Sequence, residues 1–440
     1  MKARTNRKER EMNRNAFDKV IGYTTIKEQL FQILDMIRNR DVYARIGAKV
    51  PCGTLLVGDP GLGKTLLATS FIEASGLPAL TVRKTKGDLY FTDYLTETFE
   101  AAAEKAPCIV FLDDLDKFSN SDRAHRDAEA FVAVQAGIDE VRNKDVFVIA
   151  TANDMSKLPD SLTRDGRFDR VIHVGSPSRE DAEKIIAYYL SDKKIDPAVS
   201  MTDLSRMISY SSCAELSTLL NEAAVYAAYR RNETVGMQDF VNAVLRKTYQ
   251  TGDVEYTFNS DDETSRLALH EAGHLVVSEV LDPGSVGFVS IRPFENGTGS
   301  SMIGGFVHRC KSATRRPHVV LGLLGSKAAV ELFHCDRVAS GCSDDLRRAT
   351  RLIMEGITEN STAGCGLLDV SRDTSEQMNS RHEAATLVQL ENYLMKARDI
   401  LLKNRAFLEG VTEELKEKGY LLYSDIQRIK ETVGVVPVAA

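Results

Sequence analysis

Residues 53–65 read GTLLVGDPGLGKT, an apolar run followed by a glycine-rich turn and a lysine–threonine pair. The glycines leave the backbone free to point N–H groups at phosphate oxygens where a helix begins. Lys64 is placed to contact the β- and γ-phosphates, and Thr65 to bind Mg²⁺. A strand before the turn and a helix over 65–74 predict a nucleotide-binding P-loop. Its predicted binding residues are Gly58, Asp59, Pro60, Gly61, Leu62, Gly63, Lys64 and Thr65.

Further apolar runs at 108–112 and 146–150 alternate with helical patterns, which favours buried parallel strands in a layered α/β domain. The first of these runs ends in Asp113 and Asp114. A buried strand at this position delivers one carboxylate to Mg²⁺ and another toward the attacking water. We therefore predict that Asp113 binds the nucleotide's metal ion and that Asp114 is catalytic.

A second catalytic motif occurs at 270–274, which read HEAGH. On a helix, His270 and His274 share a face and can hold one metal ion together. Glu271 lies beside that ion, where it can take a proton from water and return it to the leaving amine. The alternative is that two histidines on an apolar helix are ordinary core residues. A zinc site would also need a third ligand from elsewhere in the chain.

Composition excludes several classes of function. The 440 residues carry a formal charge of −7, which argues against nucleic acid as the main partner. No apolar run approaches the roughly 18–20 residues that span a bilayer, so a soluble protein is expected. Seven cysteines without a C-x-x-C pair indicate reduced thiols and a cytoplasmic protein. Cys342 is interpreted as a small buried side chain, and the basic tail as a solvated segment or a weak tether to anionic lipid.

Changes in pattern along the chain predict its domains. Residues 178–247 are helix-patterned throughout, 248–263 are polar, and the remainder is mostly helical, with a β-like interval at 286–306 and helices at 381–409 and 412–432. The predicted boundaries are a flexible tail (1–15), a large α/β domain (16–176), a helical domain (177–250), a linker (251–263) and a metallopeptidase domain (264–436).

The segments 149–153 (IATAN) and 162–170 (LTRDGRFDR) resemble the AAA+ ATPases and, among them, the FtsH family of zinc proteases. The resemblance implies that Asn153 is the polar sensor of the central strand. It implies that Arg164 and Arg167 reach a neighbouring subunit's γ-phosphate, which requires a ring and points to a homo-hexamer. Ile21 and Gly22 resemble the adenine-contacting entry segment.

The segment 340–350 (SGCSDDLRRAT) resembles the family segment whose aspartate binds zinc. This likeness assigns the third ligand to Asp345, with the adjacent Asp344 as the alternative. Over 16–432 it implies an AAA+ P-loop ATPase domain with an α-helical lid, followed by a mainly α-helical zinc-metalloprotease domain. The implied activity is ATP-dependent degradation of polypeptides, with Zn²⁺, ATP and Mg²⁺. Alternatives are an ATP-driven unfoldase with an inactive protease, and a zinc peptidase with a structural ATPase ring.

Several features depart from the family pattern. Family members carry N-terminal membrane helices, and none is found in this sequence. Asp114 stands where the family has Glu, so we expect slow ATP hydrolysis that rises after Asp114→Glu. Tyr90 or Phe91 is the candidate for the substrate-gripping aromatic, with core packing as the alternative, and 139–141 replace a subunit-signalling segment. The β-like 286–292 offers a hypothetical edge for a substrate strand.

Overall fold

The computed structural model describes residues 15–84, 90–118, 128–208, 212–249, 261–292, 316–334, 342–360 and 376–437. The chain divides into two compact units. The first comprises Met1–Asp192 with Ser209–Thr218, and the second comprises Lys193–Ile208 with Leu219–Ala440. No helix in the described ranges combines the length and apolar character that a membrane-spanning segment requires.

The first unit is organised around a five-stranded parallel sheet. Its strands are β1 (Gly53–Val57), β2 (Ala79–Arg83), β3 (Cys108–Asp113), β4 (Val146–Ala152) and β5 (Arg170–His173). They are arranged in the order β2-β3-β4-β1-β5, so β1 lies between β4 and β5. Every residue of β1, β3 and β4 is buried, in agreement with the three apolar runs of the sequence. The sequence pattern had not singled out β2, of which only Val82 is fully buried.

Helices cover both faces of this sheet because successive side chains of a strand point to opposite sides. Leu55, Val110 and Val148 belong to one core cluster, whereas the neighbouring Leu56 and Ile109 belong to another. The first cluster includes side chains of α4 (Phe91–Glu104) and α5 (Ala128–Val141), and the second those of α1 (Thr24–Arg38) and α3 (Lys64–Ser75). The helices of the unit are α1 (Thr24–Arg38), α2 (Arg40–Arg45), α3 (Lys64–Ser75), α4 (Phe91–Glu104), α5 (Ala128–Val141) and α6 (Arg179–Leu190). Short 3₁₀ turns occupy Leu115–Lys117, Met155–Lys157 and Asp160–Thr163.

The second unit is mainly helical. One antiparallel pair accompanies its helices, with Val289 of β6 opposite Leu421 of β7. One apolar cluster of this unit contains residues between Ala268 and Ile429. The elements are α7 (Met201–Ile208), α8 (Cys213–Tyr229, which begins in the first unit), α9 (Met237–Tyr249), α10 (Asp261–Leu281), β6 (Phe288–Ser290), α11 (Arg316–Phe333), α12 (Ser343–Asn360), α13 (Glu376–Lys403), α14 (Arg405–Lys418), β7 (Tyr420–Leu422) and α15 (Tyr423–Val433).

Two glycines allow α10 and α11 to approach closely. A Cβ atom at Gly273 would lie 2.5 Å from the carbonyl oxygen of Gly325, and a Cβ at Gly325 would lie 2.5 Å from that of Gly273. Real Cβ atoms do not tolerate such contacts, so both positions require glycine for this packing. Gly273 is also the fourth residue of the HEAGH motif, so the contact fixes the helix that carries both histidines.

The C-terminal region differs from the helices predicted at 381–409 and 412–432. The first breaks at Asn404, where α13 ends and α14 begins. The second breaks at Gly419, whose φ of 74° ends α14 and leads into the short strand β7. Of the β-like interval 286–306, Phe288–Ser290 form a strand and 293–306 lie outside the described residues. All three β6 residues are buried, so this strand is not itself accessible to a substrate chain.

Candidate active sites

The P-loop connects β1 to α3 at the carboxyl edge of the sheet. Gly61 and Gly63 adopt φ values of 81° and 83°, in the left-handed region that favours glycine. A Cβ at Gly58 would lie 2.1 Å from the carbonyl oxygen of Val174. The glycines predicted from the motif are therefore required by the turn itself. Because Gly63 directly precedes the first residue of α3, the N-terminus of that helix faces the loop, as anion binding requires.

Lys64 is folded into its own loop. Its Nζ donates hydrogen bonds to the carbonyl oxygens of Gly58 at 2.7 Å and Asp59 at 2.8 Å. Burial lowers the pKa of the Lys64 ammonium, although Asp114 and Asp116 favour its charged form. A phosphate entering the loop would compete for this ammonium with two neutral carbonyl oxygens, and its charge makes it the stronger acceptor.

Thr65 and Asp113 form the expected pair for Mg²⁺. The Thr65 hydroxyl donates to Asp113 Oδ1 at 3.0 Å, and the Thr151 hydroxyl of β4 donates to the same oxygen at 2.8 Å. A hydroxyl beside a carboxylate is a set of hard oxygen donors of the kind that Mg²⁺ takes in nucleotide sites. The residues present therefore fit a nucleotide-bound Mg²⁺.

Asp114, the second acid, is held by several partners. Its Oδ1 accepts a hydrogen bond from Asn153 Nδ2 at 3.2 Å, and its Oδ2 lies 2.7 Å from Lys117 Nζ and 3.4 Å from Arg83. Burial favours the neutral acid, but the Lys117 and Asn153 bonds outweigh it and hold the pKa of Asp114 below its usual range. The backbone of Asp114 has a φ of 57°, uncommon for a non-glycine residue and frequent at functional sites.

The two arginines of the LTRDGRFDR segment have different environments. Arg167 pairs with Asp139 at 2.8 Å and donates to Gln135 and to the Ser161 carbonyl, at 2.9 and 2.8 Å. The side chain of Arg164 is exposed. Its backbone carbonyl accepts a hydrogen bond from the backbone N–H of Arg167. The sequence predicted the same role for both arginines, whereas in the structure the guanidinium of Arg167 is bonded to groups of its own chain.

The entry segment lies against residues that the sequence pattern had not indicated. Gly22 has a φ of 73°, and a Cβ there would meet Asp181 Cγ at 2.5 Å. Tyr23 N donates to Asp181 Oδ2 at 3.1 Å. Ile21, the other predicted contact, is partly buried beside them. In the same unit, Ala214 N donates to the Gly61 carbonyl at 3.2 Å. Nothing in the sequence links Asp181 to the entry segment or Ala214 to the P-loop, since each pair lies far apart along the chain.

The two candidates for the substrate-gripping aromatic, Tyr90 and Phe91, lie in different environments. Phe91 is 3% exposed and packs edge-to-face on Phe118, with ring centroids 4.8 Å apart. Tyr90, by contrast, is 73% exposed. Core packing therefore accounts for Phe91, and Tyr90 is the exposed one of the two candidates. The preceding residues 85–89 of the candidate loop lie outside the described residues.

The second unit brings His270, His274 and Asp345 together. One ligand atom from each lies within 4.8 Å of the others. Asp345 Oδ2 is 3.4 Å from His270 Nε2 and 3.1 Å from His274 Nε2. Two imidazoles and one carboxylate form a donor set that suits catalytic zinc, which keeps a further position open. Asp344, the alternative, is 74% exposed and pairs with Arg347 instead.

Neighbouring groups orient these three side chains. His274 Nδ1 lies 2.8 Å from the Gly322 carbonyl of α11, and the Ser326 hydroxyl donates to Asp345 Oδ2 at 3.3 Å. Burial disfavours the charged form of His270, but hydrogen bonds to Asp345 and Cys342 raise its pKa to about 10. Burial alone would raise the pKa of Asp345, yet the two histidines lower it well below its usual range. Asp345 and His270 thus stabilise each other's charged forms, and a metal ion would compete with a proton for Nε2.

Glu271, the third residue of interest on α10, lies beside this cluster. It is 1% exposed, and its Oε1 is 4.0 Å from His270 Nε2. Because it directly follows His270 on the helix, its side chain leaves the backbone in a different direction from that of His270, and its carboxylate lies beside the two imidazoles. This placement suits a proton-transfer group better than a fourth ligand.

The fold and the two sites define a P-loop ATPase of the AAA type joined to a helical metallopeptidase domain. Residues 54–176 match the family model described as ATPase family associated with various cellular activities (AAA). The ATP-dependent zinc metalloprotease FtsH 2 of Symbiobacterium thermophilum is 30% identical, over 94% of this chain and 74% of that protein. FtsH of Halothermothrix orenii is 28% identical, over 91% of this chain and 68% of that protein. FtsH 2 of Thermoanaerobacter is 27% identical, over 94% of this chain and 82% of that protein.

This chain belongs to the FtsH family. The family resemblance and the fold class inferred from the motifs are thereby confirmed, with an AAA domain followed by a helical protease domain. The comparisons do not bear on the individual site residues or on the domain boundaries, which remain predictions.

Proposed function

We propose that this chain couples ATP hydrolysis to peptide-bond cleavage at the His270–His274–Asp345 cluster. As a member of its family, it is an ATP-dependent zinc metalloprotease that uses ATP, Mg²⁺ and Zn²⁺. The observation that carries the residue assignment is the convergence of two imidazoles and one carboxylate beside a buried glutamate. That geometry, in a chain that also carries a complete P-loop, favours protease over a remodeller with a dead protease site.

At the proteolytic site, His270, His274 and Asp345 would hold zinc. Bound zinc supplies Lewis-acid chemistry, polarising the scissile carbonyl and making water more acidic. Glu271 takes a proton from the attacking water and returns it to the departing amine nitrogen. Its burial keeps bulk water away from the carboxylate, which favours proton transfer to and from the substrate.

At the nucleotide site, Lys64 and the loop N–H groups would bind the phosphates, and Thr65 and Asp113 would hold Mg²⁺. Bound Mg²⁺ neutralises charge on the phosphoryl oxygens. Asp114 orients the attacking water, and Asn153 reports the state of the γ-phosphate because its amide already contacts that carboxylate. Lys117 and Arg83 both lie at Oδ2 of Asp114 and would compete with the attacking water for that oxygen.

The different environments of the two arginines support different roles. Arg164 would reach the γ-phosphate bound by a neighbouring copy of the chain, which requires a ring, and we propose a hexamer. Arg167 would act as a positioning residue, holding the segment against Asp139 and Gln135. Asp139 lies on α5, at the position of the family's signalling segment. Its pair with Arg167 would therefore connect the arginine segment 162–170 to α5.

Polypeptides are the proposed substrates, gripped by Tyr90, whose ring is exposed at the start of α4. The four described cysteines, Cys52, Cys108, Cys213 and Cys342, are free thiols. Free thiols are typical of a reducing compartment and support a cytoplasmic location. The proposed membrane-surface tether falls on the basic tail, whose residues 1–14 lie outside the described residues.

A degradation assay tests the coupling. An unfolded reporter protein is incubated with wild type, Lys64→Ala and Glu271→Gln, each with and without ATP. Loss of cleavage in both variants, with ATPase activity retained in Glu271→Gln, is expected. Cleavage by Lys64→Ala at the wild-type rate would favour a zinc peptidase with a structural ATPase ring. ATP hydrolysis by the wild type without any cleavage would favour the unfoldase.

A further inference from the structure

The two imidazoles of the metal site present equivalent nitrogens to the third ligand. Nε2 of His270 and Nε2 of His274 both face Asp345 Oδ2. A nitrogen that gives its lone pair to a metal has no proton, so the other nitrogen of the ring must carry one. Each ring therefore needs a hydrogen-bond acceptor opposite its Nδ1, and that acceptor sets the tautomer and the direction of the ring.

The structure supplies these acceptors from different chemical groups. For His274 the acceptor is the main-chain carbonyl of Gly322, at 2.8 Å. For His270 the group opposite Nδ1 is the side chain of Cys342, with Sγ at 3.6 Å. The first acceptor is a backbone atom, independent of the side chain at its position. The second depends entirely on which residue occupies 342.

Cys342 is well placed for this contact. It is 4% exposed and directly precedes the first residue of α12, the helix that also carries Asp345. One short segment therefore provides both the carboxylate opposite Nε2 of His270 and the sulfur opposite its Nδ1. The buried thiol Cys108 has a different partner, since its Sγ donates to the Ala102 carbonyl in the core of the first unit.

The same geometry argues against Cys342 as a fourth metal ligand. Sγ approaches Nδ1, whereas Asp345 approaches Nε2 on the other side of the ring. Among the described His, Cys, Asp and Glu side chains, the group that can share one ion here contains His270, His274 and Asp345 without a thiolate. Its sulfur contacts a ligand rather than the metal position.

We propose that Cys342 is a positioning residue, whose Sγ accepts the hydrogen bond of His270 Nδ1–H and holds Nε2 toward the metal. The inference rests on the proposed zinc site and deepens it. Outer-shell partners of metal-bound histidines typically contribute about 10- to 100-fold to metal affinity. Sulfur is a weak acceptor, so the effect of Cys342 belongs at about the lower end of that range.

Zinc affinity, measured by competition with a chromophoric chelator on the full chain, tests this role. We expect Cys342→Ala to weaken binding about tenfold, and Cys342→Ser, whose hydroxyl is an acceptor, to stay within about threefold of wild type. Cys108→Ala is the matched loss of a buried thiol and should leave affinity unchanged. Should Cys342→Ala not fold, Cys342→Val fills the volume without an acceptor and should show the same loss.

A spectroscopic readout separates positioning from packing. With Co²⁺ as the probe, the visible absorption of Cys342→Ala should shift in position and intensity, and that of Cys342→Ser should follow wild type. Equal affinity of wild type and Cys342→Ala overturns the inference, as does an equal loss in the serine and alanine variants. A wild-type chain that binds no zinc overturns the proposed metal site itself, and this inference with it.

Discussion

The nucleotide site and the candidate zinc site differ in the groups that their functional side chains contact. At the nucleotide site, Lys64 is bonded to carbonyls of its own loop and Asp114 is paired with Lys117. At the metal site, His270, His274 and Asp345 already converge on one position. The polar groups of the nucleotide site are thus engaged by their own chain, whereas the three candidate zinc ligands face one another. At the nucleotide site, the partners of Lys64 and Asp114 can change when nucleotide or a neighbouring subunit binds. At the candidate zinc site, a ligand set that already converges favours a permanently formed centre.

The largest effect is expected from removing the exposed arginine of the ATPase. Arg164→Ala should lower ATP turnover by about 10³-fold, because arginine fingers are worth about that much or more. Arg45→Ala, at another exposed arginine, is the control and should have no effect. Steady-state ATPase assays on the assembled protein measure both.

A mixing experiment then shows whether Arg164 acts on a neighbour. Lys64→Ala and Arg164→Ala chains, each inactive alone, should regain ATPase activity when co-assembled, because some sites then combine the intact residue of each. Absence of complementation, in rings shown by mass to be mixed, would exclude action between subunits and make the nucleotide site as self-contained as the metal site.

The metal site provides the next largest effect. Asp345→Asn should reduce zinc affinity and peptide cleavage by at least about 100-fold, because a lost direct ligand costs more than a lost outer-shell partner. Asp344→Asn, one residue earlier, should change neither. Metal content by atomic absorption and cleavage of a fluorogenic peptide give the two readouts. The opposite pattern would assign the ligand to Asp344 and contradict the geometry described above.

A preassembled metal site also depends on the contact between α10 and α11. Gly273→Ala places a methyl group against the Gly325 carbonyl and should destabilise the second unit by roughly 1–3 kcal/mol, the usual cost of overpacking. Gly236→Ala is the control, since the nearest atom to its Cβ would be 3.7 Å away. Urea unfolding followed by circular dichroism measures both. Equal midpoints for the two variants would mean that the helices can separate without cost.

The smallest effect concerns the acid of the ATPase. Asp114→Glu should raise ATP turnover about three- to tenfold, a small part of what general bases contribute, because the longer side chain reaches the water more easily. Lys117→Ala should also raise it by freeing Oδ2, and Lys144→Ala, which removes a surface pair with Glu140, should not. Unchanged or lower turnover in both Asp114→Glu and Lys117→Ala would show that the Lys117 contact does not restrain the site.

Local signals were sufficient for the regions where neighbouring residues in sequence act together. The strands β1, β3 and β4 begin at the predicted residues, although β3 and β4 extend beyond the predicted runs, because short apolar runs flanked by turns are recognisable without long-range information. β2 was not recognised, since only one of its residues is fully buried and its pattern is weak. The break at Gly419 was missed because the residues beside it pair with β6, far away in the chain.

By itself, the sequence determined which chemical groups this protein carries: a glycine-rich loop with its lysine and threonine, an acidic pair after a strand, and two histidines one helical turn apart. Those motifs are local, and covalent connection alone holds their members within reach. Only the tertiary structure shows that Asp345 lies beside both histidines while Asp344 is exposed, that Cys342 contacts His270, and that Arg167 is bonded within its chain while Arg164 is exposed. These contacts join residues up to 72 positions apart, and their geometry is set by helix packing, which no local pattern encodes.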